Sequence, residues 1–271
     1  MILANISALF LGIQYDDLMS ELLQLALVQF DIQWKDPQAN LDRIEQLIHD
    51  VEADLFVLPE MFATGFIDDP NTTDLGTDLA VEWMLETAQR TSAAIAGSLA
   101  VSDGAHYFNR LYFVTPVGMV THYNKRHLFA LGDEAKVFSA GNTPVVAHIK
   151  DWSVNLSICY DLRFPAWARY PAPYDVYLCV ANWPAPRIDA WDTLLKARAI
   201  ENQCFSVGVN RVGSDPKVSG YPGHSEVFDP MGSLLSSSKH EGVQVVTLNK
   251  AELNKVRSTL PYLRDKDIFE F

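Results

Sequence analysis

The chain reads as an α/β protein whose sheets mix parallel and antiparallel strands. Three observations carry that reading. The chain opens with a strand, helix, strand unit; its later apolar runs are joined by hairpin-type turns; and no Pro/Gly/Ser-rich linker, repeat or low-complexity tract divides its 271 residues. A chain of this length can bury one large core. Residues 19–271 are therefore expected to form a single domain behind an N-terminal extension, residues 1–18.

That extension contains "MILANISALFLGI", which is apolar but has no basic residue ahead of it and no small-residue cleavage site before "QYDDLMSELLQ". It is also too short to span a bilayer. It reads as an upstream-start extension, with Met19 the natural start. "LQLALVQF" (Leu23 to Phe30) follows as a buried strand. Asp36 supplies a helix N-cap and Pro37 a preset first turn, after which Leu41, Ile44, Leu47, Ile48 and Val51 form one apolar stripe at helical spacing. "DLFVLP" (Asp54 to Pro59) returns as a strand, which favours a parallel pair with a right-handed crossover.

A second helix is expected over Leu79 to Gln89, and "AAIAGSLAV" (Ala93 to Val101) is the next strand. The texture then changes. "YFNRLYFVTPVGMVTHYNK" holds two β-rich runs around Thr115-Pro116-Val117-Gly118, the pattern of an antiparallel hairpin. "WSVNLSI" and "VYLCVAN" are further strands. Trp191, Leu194, Leu195 and Arg198 mark a long helix between Ile188 and Asn202, and strands follow at "CFSVGVN", "SEVFD" and "VQVVTL" around a Pro230–Gly232 turn. Helices that alternate with strands early and hairpins that come later point to mixed sheets with helices outside them.

Hydrophobic residues make up 48% and charged residues 20% of the chain, the balance of a soluble globular protein, and the formal net charge is −13. An acidic chain of this kind argues against a nucleic-acid partner, because phosphate binding needs clustered Lys and Arg. Cys159, Cys179 and Cys204 are odd in number and show no C-x-x-C spacing, which suggests neither a disulfide framework nor a zinc site and fits a reducing cytoplasm.

Chemically competent residues fall at the carboxyl ends of apolar strands, where ligand sites in α/β sheets gather. Glu60 follows "LFVLP", Lys125 follows "VTHYN" and Cys159 follows "VNLSI". Strand ends meet polar residues in any fold, so no one position decides the matter. Together they are complementary: a thiol is mostly protonated at neutral pH and needs a base or a positive charge beside it. Cys179 and Cys204 lie inside apolar runs and read as buried structural residues. The seven histidines form no H-x-x-x-H pair, so no metal is expected, and His127 or His224 stands as an alternative partner for Cys159 in a Cys-His arrangement.

Taken in order, "LPEMFATGF", "YNKRHLF" and "ICYDLRFP" resemble the motifs of the nitrilase (carbon–nitrogen hydrolase) superfamily, and the similarity runs from about Leu23 to the C-terminus. The resemblance implies a four-layer α-β-β-α sandwich with two mixed sheets between outer helices, a homodimer formed through the helical face, and no cofactor. It makes Glu60 the general base, Lys125 the oxyanion-stabilising cation, Cys159 the nucleophile and the backbone N–H of Tyr160 an oxyanion donor. A second glutamate falls at Glu134, with Asp133 as its competitor. "ANWPAPRIDAWDTLLKARAIENQ" and "NRVGSD" look most like the ω-amidase branch, whose substrates are the small amides α-ketoglutaramate and α-ketosuccinamate. In that reading Trp183, Phe62 and Phe129 wall the pocket and Arg187 anchors the substrate carboxylate, with Arg163 and Arg211 as alternatives; a structural ion pair with Asp161 or another carboxylate is the competing reading of Arg163. The rivals are an amidase for an N-carbamoyl amine or aliphatic amide, and a non-catalytic binding protein. The tail "RDKDIFEF" packs at a subunit interface or frays.

Overall fold

Two six-stranded mixed sheets stack face to face, with helices covering the outer face of each. The computed structural model describes residues 21–67, 69–70, 75–132 and 134–268. The extension 1–18, the start at Met19, Asp133 and the last three residues of the tail lie outside the described residues.

The first sheet runs β14-β1-β2-β3-β4-β5. Its strands are β1 (Leu22–Gln29), β2 (Leu55–Val57), β3 (Ala94–Asp103), β4 (His106–Val114), β5 (Val120–Asn124) and β14 (Gly242–Asn249). The second runs β13-β12-β9-β8-β7-β6, from β6 (Val146–Ile149), β7 (Trp152–Ile158), β8 (Val176–Val180), β9 (Phe205–Val209), β12 (Ser225–Phe228) and β13 (Leu234–Ser238). Between β9 and β12 in the chain, β10 (Val212–Gly213) and β11 (Tyr221–Pro222) form a small ribbon. The two sheets repeat one pattern. β14 with β1 and β6 with β7 are antiparallel, the next two pairs in each sheet are parallel, and the last two are antiparallel. The ends of β2 and β8 therefore occupy corresponding places.

Alternation along each strand sorts its side chains between two cores. Leu23, Leu25 and Leu27 of β1 meet Val176, Leu178 and Val180 of β8 in the core between the sheets. Ala26 and Val28 face outward onto α1 (Pro37–Ile48) and α2 (Thr77–Thr91), while Tyr177 and Cys179 face α4 (Pro165–Arg169) and α5 (Ile188–Asn202). With both faces buried, the strands read as continuous apolar runs. Each large side chain so buried contributes about 1.5–3 kcal/mol.

Asp36 caps α1 by accepting the N–H of Ala39 at 3.1 Å, as expected. The helix stops at Ile48, a turn short of Val51, whose N–H returns to the Ile48 carbonyl as the chain bends toward β2. The expected second helix extends two residues further at each end, and Ser92 ends it in the left-handed conformation. The hairpin turn forms at Thr115, whose carbonyl accepts the N–H of Gly118, itself at φ +77°. The chain also forms β6, β13, the short helix α3 (Glu134–Val137) and α6 (Lys250–Thr259), none of which the apolar pattern announces. Among the described residues, no helix is long and apolar enough to cross a membrane. Of the tail, Ile268 is 92% exposed and Lys266 bonds the carbonyl of Ala172.

Candidate active site

Three loops at the carboxyl ends of β2, β5 and β7 converge. After β2 the chain turns at Met61, φ +46°, and Ser98 of β3 fixes this turn, its Oγ accepting the Met61 N–H at 2.9 Å and its carbonyl accepting that of Phe62 at 3.1 Å. Lys125 follows β5, its backbone N–H donating to the Asn109 carbonyl. Cys159 follows β7 at φ +45° and opens a 3₁₀ turn, Cys159–Arg163. A left-handed cysteine costs about 1–2 kcal/mol, and Asp161 holds it there. Its Oδ2 accepts from the Ile158 N–H and the Tyr123 hydroxyl, and its Oδ1 from the N–H and the ring of His127. Asp161 thus ties the cysteine turn to the loop that carries Lys125.

Lys125 is the hub of a buried charge network. Its Nζ lies 2.8 Å from Glu60 Oε1 and 3.0 and 2.9 Å from the two oxygens of Glu134. Asn109 Nδ2 bridges the same carboxylates at 2.7 and 3.1 Å. Backbone N–H groups complete the set: Glu60 Oε2 accepts from Asn182 at 2.8 Å, and Glu134 Oε2 accepts from Phe129 at 2.6 Å as well as from Lys125. Both carboxylates and the ammonium are cut off from solvent. Burial alone would strip the lysine of its proton, but Glu134 and then Glu60 outweigh it and hold the ammonium well above its ordinary range. Burial and the charge of Glu60 push the Cys159 thiol well up, against the pull of Lys125. Cys159 therefore rests as a thiol, and any attack by its sulfur requires a base.

Glu60, Lys125 and Cys159 line one cavity of about 420 Å³. Phe66, Phe129, Tyr160, Trp183, Arg163 and Arg187 line it too, with Asp215 and Lys217 from the loop before β11 and Tyr221 of β11. The Arg163 guanidinium sits 4.9 Å from the Trp183 ring centre, and that of Arg187 sits 5.2 Å from the ring of Phe129. Trp183 is pinned from behind: Asn210 pairs with its N–H and carbonyl, and its indole N–H donates to the Arg187 carbonyl.

Four expectations change. Phe62 is no pocket wall: the Met61 turn folds it back into the outer core, against Gly97 and near Trp83, and Phe66 takes the place beside Lys125. Arg211 is fully buried and braces its own loop, bonding Asp31 and the carbonyls of Ile32 and Ser214, so it is no anchor. His127 stacks on Phe164 and bonds Asp161, while His224 bonds Asp192; neither lines the cavity, which removes the Cys-His alternative. Both oxygens of Asp161 serve other donors, so Arg163 is not its ion-pair partner. Glu134 accepts from Lys125 through both oxygens, and Cys179 and Cys204 are buried and free. Sequence reasoning missed Asn109, Asn182 and Asp161. Asn109 had one signal, a polar residue in the middle of "YFNRLYF".

A family model described as carbon-nitrogen hydrolase matches residues 24–258. The chain is 40% identical over 250 residues to an ω-amidase named YafV from Escherichia coli K12, covering 91% of this chain and 98% of that one. It is 35% identical over 257 residues to a 2-oxoglutaramate amidase from Bacillus subtilis, with 90% and 98% coverage. Among solved structures, XC1258 from Xanthomonas campestris, described as a CN-hydrolase superfamily protein with an arsenic adduct in its active site, superposes with a TM-score of 0.89 at 37% identity, covering 92% of this chain and 99% of that chain. An amidase from Nesterenkonia sp. AN1, described with acrylamide added at its active-site cysteine, superposes with a TM-score of 0.77 at 25% identity, covering 88% and 98%. A buried Glu-Lys-Glu network beside a thiol, two stacked mixed sheets and a family match across nearly the whole domain lead to one conclusion: the chain belongs to the carbon-nitrogen hydrolase family.

Proposed function

We propose that the chain is an ω-amidase, which hydrolyses the terminal amide of a small α-keto acid amide such as α-ketoglutaramate through a cysteine thioester. One observation carries this reading: a fully buried Glu60–Lys125–Glu134 network shares a cavity with Cys159, and two guanidiniums lie on the aromatic wall of that cavity.

Glu60 takes the thiol proton as the sulfur attacks the amide carbon. Charge then develops on the carbonyl oxygen, which Lys125 Nζ and the Tyr160 N–H receive; a donor of this kind is typically worth about 10²- to 10³-fold in rate. The proton on Glu60 passes to the departing nitrogen, the C–N bond breaks and ammonia leaves. Water enters, gives its proton to Glu60 and attacks the thioester, and the thiol is restored with release of the acid. Glu134 and Asn109 hold Lys125 and Glu60 in register and act through them.

A substrate with an α-keto carboxylate brings a planar anion, which suits a guanidinium. Arg163, half-buried on the same turn as Cys159, and Arg187, exposed over Phe129, stand on the wall as its two partners. A neutral aliphatic amide would leave both without an anion, which disfavours that rival. The same reading carries a homodimer in a reducing cytoplasm. Its support is three free cysteines and the exposed apolar side chains of Ile200 and Met231, on α5 and the neighbouring turn. Ammonia release from α-ketoglutaramate by the purified protein tests the function. The expected result is turnover that disappears in Cys159→Ala; silence on this substrate together with activity on neutral amides would replace the substrate assignment.

A further inference from the structure

The histidines offer no metal-ligand spacing along the chain, yet the fold gathers ligands that the sequence keeps apart. Asp192, near the start of α5, and His224 and Glu226, around the start of β12, each present one oxygen or nitrogen, and these atoms all lie within 4.8 Å of one another. His224 Nδ1 stands 3.1 Å from both oxygens of Asp192. Ligand atoms that share a divalent ion at bonds of about 2.0–2.2 Å stand about 3.0–3.5 Å apart, so this pair already has the separation that one ion requires.

Glu226 supplies an independent observation. Its side chain belongs to a residue only 5% exposed; Oε1 accepts from Ser237 Oγ at 3.0 Å, and Oε2 is buried with no hydrogen-bond partner among the described residues. A buried carboxylate oxygen without a donor is costly, and a cation between it and Asp192 would satisfy it and relieve the repulsion between the two carboxylates. Ser237 and Lys239 are the other polar groups that act on Glu226, and neither donates to Oε2.

We propose that Asp192, His224 and Glu226 bind a divalent transition-metal ion, best matched by zinc, which braces the wall behind the substrate cavity. One imidazole and two carboxylates suit zinc and its neighbours; the nitrogen ligand counts against magnesium and calcium, and the lack of sulfur counts against copper(I). Nδ1, which faces Asp192, binds the ion in its deprotonated form. Water completes the coordination from the side where Asp192 is 34% exposed. The brace reaches the cavity through two contacts: Trp191 Nε1 donates to the His224 carbonyl at 2.7 Å, and the Trp191 ring lies 5.4 Å from that of Trp183. The ion thus fastens β12 to α5 and touches no reacting atom.

Full-length protein carrying Cys159→Ala removes the half-exposed thiol as a competing ligand. After chelation it is dialysed against Zn²⁺ and its metal content is measured. The expected result is about one ion per chain with a micromolar Kd, and a melting temperature that rises with zinc. Adding Glu226→Gln or Asp192→Asn weakens binding by about tenfold or more and removes the thermal response. Asp192 is half-exposed, so Asp192→Asn decides the question if Glu226→Gln fails to fold. No saturable binding up to about 1 mM zinc, or binding that Asp192→Asn leaves unchanged, overturns the proposal.

Discussion

The two sheets make unequal contributions to one site. The first supplies the charges, Glu60 after β2 and Lys125 after β5 with Glu134 beside them, and the neutral Asn109 on β4, whose side chain bridges the two carboxylates that Lys125 pairs; all are buried. The second supplies the thiol of Cys159 and most of the lining, with Tyr160, Arg163, Trp183 and Arg187, of which only Trp183 is buried. Corresponding places in the two halves show the division most sharply. Glu60 follows β2 and Asn182 follows β8; one is ionic and the other neutral, and they bond through the Asn182 N–H and its side-chain amide. The comparison teaches that the buried charges are locked in one half while the thiol and the two guanidiniums on the cavity wall lie in the other.

Substitutions should sort accordingly. The largest effect is expected where the halves meet. Cys159→Ala is expected to abolish turnover with cooperative thermal unfolding retained, and Glu60→Gln to lower kcat by about 10³-fold or more, since on the proposed mechanism it removes the base of both half-reactions. A Glu60→Gln protein within tenfold of wild type would dismiss Glu60 as base. Lys125→Met comes next and strikes stability as well as activity, because it leaves two buried carboxylates unpaired; about 3–5 kcal/mol is expected from denaturant unfolding. An unchanged midpoint would mean that the network relaxes and is not locked. On the wall of the second half, Arg163→Ala should raise KM for α-ketoglutaramate by about 10- to 100-fold with kcat little changed, the loss expected for a charged hydrogen-bonding partner. The same test on Arg187→Ala ranks the two anchors, and an equal fall in kcat would move Arg163 into the charge network. The smallest change crosses between the halves. Glu60 raises the Cys159 pKa, so the ultraviolet thiolate band should appear at lower pH in Glu60→Gln than in wild type, although hydrolysis is lost. A band that does not move would uncouple the two groups.

The positions of Glu60, Lys125 and Cys159 were readable because each closes an apolar run, and the first helix because Asp36-Pro37 is a cap by composition. Other parts carried no such mark. Met61 in the left-handed region decides that Phe66 and not Phe62 reaches the cavity, and a backbone angle at methionine has no sequence signature. β13 reads "LLSSS", closer to a turn than a strand, and α6 buries Leu253 alone, so neither shows an apolar period. Asn182 looked like an ordinary strand end because its partner, Glu60, lies 122 residues away. Asp192 and His224 are likewise separated by 32 residues.

The division between the sheets has a consequence in time. During synthesis the first half leaves the ribosome with its carboxylates and lysine but no nucleophile, and the second half carries a thiol turn whose Asp161 has yet to find Tyr123 and His127. A partly made or partly unfolded molecule therefore holds an ordinary cysteine. On the proposed mechanism, reactivity toward amides arrives only when the halves close, so the finished fold would also act as a safety catch.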